Sequence, residues 1–477
     1  MKRNYLCTAA LFFVCQLVIA QNNITVEQIY GGFFRAKGMD QLQPLKNSNQ
    51  YTILNVDQKT KQSQIDLYDF NTLEKIKTVF DTKDFSEIKS IDDYRFNKNE
   101  NQLLIATNKT SIFRHSYLAD FYLFDMEKKS LKKISPHQMQ EPTFSPDGQK
   151  IAYAFMNNLS VYDISTEKTS MITNDGKKNQ IINGITDWVY EEEFAFVRAF
   201  QWSSNSEHLA YIKFDESQVT EFSMDVYGTE LYPTQEVFKY PKAGEKNANV
   251  SLHIYHIKSN LTIAVGLDQY HAEYIARLNA TNLPETFSLQ LLNRHQNQLQ
   301  LVHIDANGYS KIILEEKDKA YVDVTDDLTY LDNHDFIWTS DRDGFNHIYH
   351  YDPNGKLKNQ ITKGLWEVTK YYGFDKKTQT LFYQSTEIGS TERAVYQIGL
   401  NVKNKRLMTN LSGTNHADFS PDFSSFILTH SSASIPTNYA LVITKTAQVI
   451  KTIVENNALK EKREKSNIPQ KEFFTIN

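Results

Sequence analysis

The chain has 477 residues, 40% hydrophobic and 13% aromatic, with 17 Gly and 11 Pro. That is enough apolar material for a large core or more than one domain, and it excludes a globally disordered chain. The formal charge of −5 comes with no basic stripe, which argues against nucleic acid as a partner.

The first element is an export signal: Lys2 and Arg3, an apolar run from Leu6 to Ala20, then Gln21. The run is short against the roughly 20 apolar residues of a membrane span, so cleavage after Ala20 is expected. Residue 14 is Val, which argues against a lipoprotein at Cys15. Removal of Lys2 and Arg3 takes the charge from −5 to −7. Cys7 and Cys15 leave with the signal, so no disulfide can brace the mature protein. An exported chain, periplasmic or extracellular, must then be held by core burial and sheet ladders, which favours a large closed architecture.

Beyond the signal, a short strand, a polar turn and a second strand recur. The clearest copy is Phe144-Ser145-Pro146-Asp147-Gly148 followed by the strand Ile151 to Phe155. Pro and Asp-Gly make the turn. Weaker copies begin at Phe96, Trp202, Phe374 and Phe419, with neighbours about 45 to 58 residues apart on either side of the gap between Trp202 and Phe374. Strand-like partners such as Leu159 to Tyr162 and His347 to Tyr351 lie between them. This period matches one four-stranded antiparallel blade of an all-β propeller better than a sandwich, and the length suits seven or eight blades. The copies fade between about Ser251 and Asp335.

Two stretches break the pattern. Residues from about Gln180 to Phe200 are long for a blade loop, and those from about Phe214 to Val250 contain Tyr240-Pro241-Lys242-Ala243-Gly244. Binding groups concentrate in such insertions. Near the end, the mixed charge run Lys460 to Lys465 reads as a solvated helix or linker, and Phe473 to Ile476 as the start of a new strand.

The first insertion holds Asp187-Trp188-Val189-Tyr190-Glu191-Glu192-Glu193. Three consecutive glutamates are ordinarily a solvated face. Here they follow Asn183-Gly184-Ile185-Thr186, stand downstream of Arg114-His115-Ser116-Tyr117, and precede Tyr240 to Gly244 and Ile361-Thr362-Lys363-Gly364 with Trp366-Glu367-Val368. In that order the segments resemble the N-terminal β-propeller of the dipeptidyl peptidase IV family across essentially the whole mature chain.

The resemblance implies eight blades and a site for the free amino terminus of a peptide. Glu192 and Glu193 match the carboxylates that bind the ammonium, and Arg114 the arginine that contacts a substrate carbonyl or carboxylate. An α-amino group is largely cationic at neutral pH and pairs strongly with partly desolvated carboxylates. Asp187, Trp188, Tyr190 and Glu191 are read as supporting residues that pack or orient the others. A purely structural pairing of Arg114 with either glutamate is the competing reading. Homodimers are common in the family, so a homodimer is among the implied partners.

Catalysis is not expected of these residues. A hydrolase of the family needs Gly-x-Ser-x-Gly followed by Asp and His, and no such pentapeptide occurs; Ser390 and Ser412 each touch a glycine but lack the flanking pair. No cofactor is implied, and neither His-Glu-x-x-His nor Cys-x-x-Cys marks a metal site. The expected organisation is a signal at 1–20, a propeller at 21–465, and at 466–477 the start of an α/β-hydrolase domain absent from this chain. The function expected is substrate gating and amino-terminus anchoring in an exported serine dipeptidyl peptidase acting on Xaa-Pro or Xaa-Ala peptides, the chain alone being inactive. The alternative is a stand-alone, non-catalytic peptide-binding propeller.

Overall fold

The turn repeat folds because its serine closes the turn twice over. Ser145 Oγ donates to Asp147 Oδ1 (2.5 Å) and accepts the Lys150 N–H (2.9 Å). Ser203 does the same with Asn205 and the His208 N–H, and Ser420 with Asp422 and the Ser425 N–H. Each such turn joins the first two strands of an antiparallel sheet.

The computed structural model describes residues 24–466 and 468–476. The expected signal and both cysteines lie outside the described residues. Eight antiparallel sheets follow one another, at residues 42–81, 93–133, 140–171, 181–265, 274–317, 329–360, 368–407 and 414–454, here blades I to VIII. The fold is thus an eight-bladed propeller of four-stranded sheets, as expected. All five recognised turn copies are first hairpins, of blades II, III, IV, VII and VIII. The unmarked blades depart from the pattern: Ala280 stands where blade V would have its aromatic, and in blade VI the turn shortens to one closed by Leu331 N–H on Asp335 O.

Blade IV carries both insertions. Its innermost position is filled by two short pieces: Ile181–Asn183 pairs with Lys213 to Asp215, and Phe200–Trp202 pairs with Leu209 to Tyr211. Between them residues 184–199 leave the sheet and return at the same point, since Gly184 N–H donates to Ile212 O and Ile212 N–H to Ala199 O. The first stretch is therefore a detour inside a strand rather than a loop between blades. The second is a hairpin, Glu221–Val226 with Thr234–Lys239, extending the turn between the second and third strands.

Strand alternation puts the starts of first strands, the turns between second and third strands and the ends of fourth strands on one face. That face holds the hairpin, the blade II turn with Arg114, and the helix Asn457–Lys465. Residues 468–476 form no strand, and Phe473 and Phe474 are exposed, which corrects the strand expected at Phe473 to Ile476. A strand needs a neighbour for its backbone groups, and this segment pairs with none among the described residues.

The ring closes without a shared strand, because blades I and VIII are each built from contiguous residues. Tyr51, Ile53 and Phe70 of blade I pack on Ile427 and Leu441 of blade VIII. The Asn456 side chain clasps the backbone of Lys37, accepting its N–H and donating to its carbonyl, each at 2.8 Å.

Candidate functional site

The strand detour contains one short helix, Trp188–Glu193. Asp187 caps it, its Oδ1 accepting the Tyr190 N–H at 2.9 Å, and burial pushes the Asp187 carboxyl up to about 6. Tyr190 is fully enclosed. Its ring meets Phe214 edge-on at 4.8 Å, and its hydroxyl accepts the Ile275 N–H of blade V at 3.1 Å. Trp188 packs on Tyr240, with ring centroids 4.7 Å apart, so the Tyr240 segment buttresses the helix.

Successive helical residues turn by about 100°, so three glutamates in a row cannot share one partner. Glu191 is buried and turns to blade II, where its Oε1 accepts the N–H groups of His115 (2.6 Å) and Ser116 (2.8 Å). Glu192, 17% exposed, pairs with Arg114 Nε at 3.2 Å, the arginine side chain itself being 71% exposed. Glu193 is exposed. Its charge, after burial and Asp323, contributes to holding the Tyr321 phenol above its ordinary range, which puts Glu193 near the linker between blades V and VI.

The structure thus brings Arg114, Glu192 and Glu193 together on one face, with Asp187, Trp188, Tyr190 and Glu191 beneath them. It also gives Glu191 a definite task, fastening the Arg114 turn to the glutamate helix. Tyr274 and Tyr321, both near enough to Glu193 to feel its charge, were not picked out from the sequence, where nothing separates them from core tyrosines. The Ile361 to Trp366 segment lies elsewhere: Gly364 O is within 3.1 Å of His347 Nε2, and Trp366 packs edge-on against that ring at the junction of blades VI and VII. Ser412 Oγ donates to Glu392 Oε1 at 3.0 Å in an exposed loop. Among the described residues, no group of three or more His, Cys, Asp or Glu is arranged to hold a metal ion, and no helix is long and apolar enough to cross a membrane.

The family model described as "Dipeptidyl peptidase IV (DPP IV) N-terminal region" matches residues 97–437. Dipeptidyl peptidase 4 of Trichophyton rubrum is 29% identical over 409 residues, 80% of this chain and 52% of that protein. A probable dipeptidyl peptidase 4 of Aspergillus fumigatus is 28% identical over 407 residues, with the same shares covered. The chain therefore spans about half the length of the curated relatives it matches. Dipeptidyl peptidase 4 of Porphyromonas gingivalis superposes with a TM-score of 0.86 at 35% identity, over 92% of this chain and 63% of that one. A putative dipeptidyl aminopeptidase IV of Bacteroides ovatus, at 20% identity and a TM-score of 0.68, shares the fold. The chain belongs to the dipeptidyl peptidase IV family, whose N-terminal propeller region it contains.

Proposed function

We propose that this propeller anchors the free amino terminus of peptides on Glu192 and Glu193, with Arg114 holding a substrate carbonyl or carboxylate beside them. The observation that carries this reading is the division of labour on one helix. Tyr190 and Glu191 are consumed in fixing it, which leaves Glu192 and Glu193 to a ligand. The Arg114–Glu192 pair keeps both charges poised and partly solvated, ready to exchange one partner for an ammonium.

In this reading the propeller serves an α/β-hydrolase domain of an exported serine dipeptidyl peptidase. Holding the terminus at a fixed distance from a nucleophile admits only the second peptide bond, so cleavage length follows from position. The chain entry and exit share the face of the glutamate helix, which suits a domain docked there. Export by a signal cleaved after Ala20 belongs to the same reading, as do a propeller ending near residue 465 and a homodimer. Dimerisation is supported by the blade IV hairpin, whose tip exposes Tyr227, Leu231 and Tyr232.

The test is calorimetric titration of Ala-Pro into the chain. Binding is expected for the free dipeptide and not for its N-acetyl derivative, and Glu192→Gln with Glu193→Gln should abolish it. Equal binding by that double variant would refute the anchor.

A further inference from the structure

Behind the glutamate helix, between it and the base of the hairpin, lies a cavity of about 240 Å³. Phe113, Trp188 and Phe238 form an aromatic wall, with centroids about 6 Å apart, and Ile182 and Ile185 add aliphatic surface. Such walls are expected to be dry, yet five buried polar side chains line the same space, and two of them, Ser116 and Thr186, are spent on the Phe113 N–H and the Phe196 carbonyl. Glu216 is 6% exposed and Gln140 8% exposed, and neither side chain has a hydrogen-bond partner among the described residues. Asp187 spends one carboxylate oxygen on its helix cap and has no described partner for the other.

The free polar atoms of these three side chains open into the cavity rather than being sealed from it, so they are placed to take a ligand there. Two lysines line the space: the Lys239 ammonium donates to Val219 O at 2.7 Å and faces Glu221 at 3.7 Å, and Lys178 is exposed. We infer that this cavity binds a small primary alkylammonium, its –NH₃⁺ held by Asp187, Glu216 and the Gln140 side-chain carbonyl and its alkyl chain laid against Trp188 and Phe238. A primary ammonium has three donors and no acceptor, and Asp187, Glu216 and Gln140 supply an acceptor each. Aromatic faces favour a cation further. The occupant would touch both Asp187 and Trp188, the first two residues of the element that carries Glu192 and Glu193.

The test is titration of the chain with n-butylammonium chloride, against n-butanol and sodium chloride at matched strength. Saturable binding of the ammonium alone is expected. In the Glu192→Gln, Glu193→Gln background, where the amino-terminus site no longer competes for the amine, saturable binding should persist and Glu216→Gln should weaken it by about tenfold or more. A parallel titration with Nα-acetyl-lysinamide separates the sources of this chemistry: tighter binding than butylammonium assigns the cavity to a lysine side chain, weaker binding to a free amine. A crystal of the wild-type chain soaked in butylammonium reads occupancy without any variant. Equal binding of butanol, unchanged binding by Glu216→Gln, or a cavity holding only water would overturn the proposal.

Discussion

The buried carboxylate of Glu191 accepts the backbone N–H of Ser116 at 2.8 Å, and through it a helix of blade IV holds the blade II turn that presents Arg114. Glu191→Ala leaves two N–H donors without that partner, a buried one at Ser116 and a part-buried one at His115. The expected cost is about 2–3 kcal/mol in urea unfolding, together with loss of dipeptide affinity although neither Glu192 nor Glu193 is altered.

Arg114 should behave in the opposite way. Its side chain is largely exposed, and pairs of this kind contribute about 0–1 kcal/mol. Arg114→Ala should therefore leave the unfolding midpoint nearly unchanged while lowering dipeptide affinity. A large stability loss would favour a purely structural pairing.

Gly184 stands where the detour leaves the strand, with φ +75, and an added Cβ would come within 2.9 Å of Leu159 Cδ1. Gly184→Ala should cost about 2 kcal/mol from the left-handed backbone and the contact together. Because the strain sits at the root of the excursion, amide exchange should quicken through 184–199 before it does elsewhere.

Asp187 and Glu216 should each subtract stability as pH rises from 4 to 8, against buried histidines of the opposite sign such as His303, which burial and then Lys311 lower to about 4. Burial lifts the Asp187 carboxyl to about 6; burial, then the Asp187 charge, lifts Glu216 to about 7. Lys239 opposes the second shift and Asp215 adds to it. Both groups bind protons more tightly folded than unfolded. Their favourable contribution is complete below the unfolded carboxylate range and is lost as pH climbs through about 6 and 7. At one unit per 1.4 kcal/mol, Glu216 alone accounts for roughly 3 kcal/mol. The stability of the wild type minus that of Glu216→Gln should fall between pH 5 and 8 in denaturant titrations, and an unchanged difference would count against the assignment.

The blades were legible wherever the turn kept its Ser-x-Asp chemistry after an aromatic, as at Phe144 and Phe419, and faded where Ala280 and Leu331 replaced those residues. The glutamate motif pointed to its own location because capping aspartate, buried tyrosine and charges are consecutive. What sequence could not give is the direction of each glutamate or the cavity behind Trp188. Gln140 and Glu216 lie far from each other in the chain, and only the stacking of blades III and IV and the hairpin sets them around one space.

The clasp between Asn456 and Lys37 spans 419 residues, whereas each blade closes on itself within tens of residues. Loop-closure entropy grows with the logarithm of length, so making this contact costs about 2 kcal/mol more than closing a single blade. Every other junction joins neighbours already tethered by a short linker. The seam between the first and last blades should accordingly be the last part of the ring to assemble and the first to gape, which gives the cylinder a built-in line of weakness along one side.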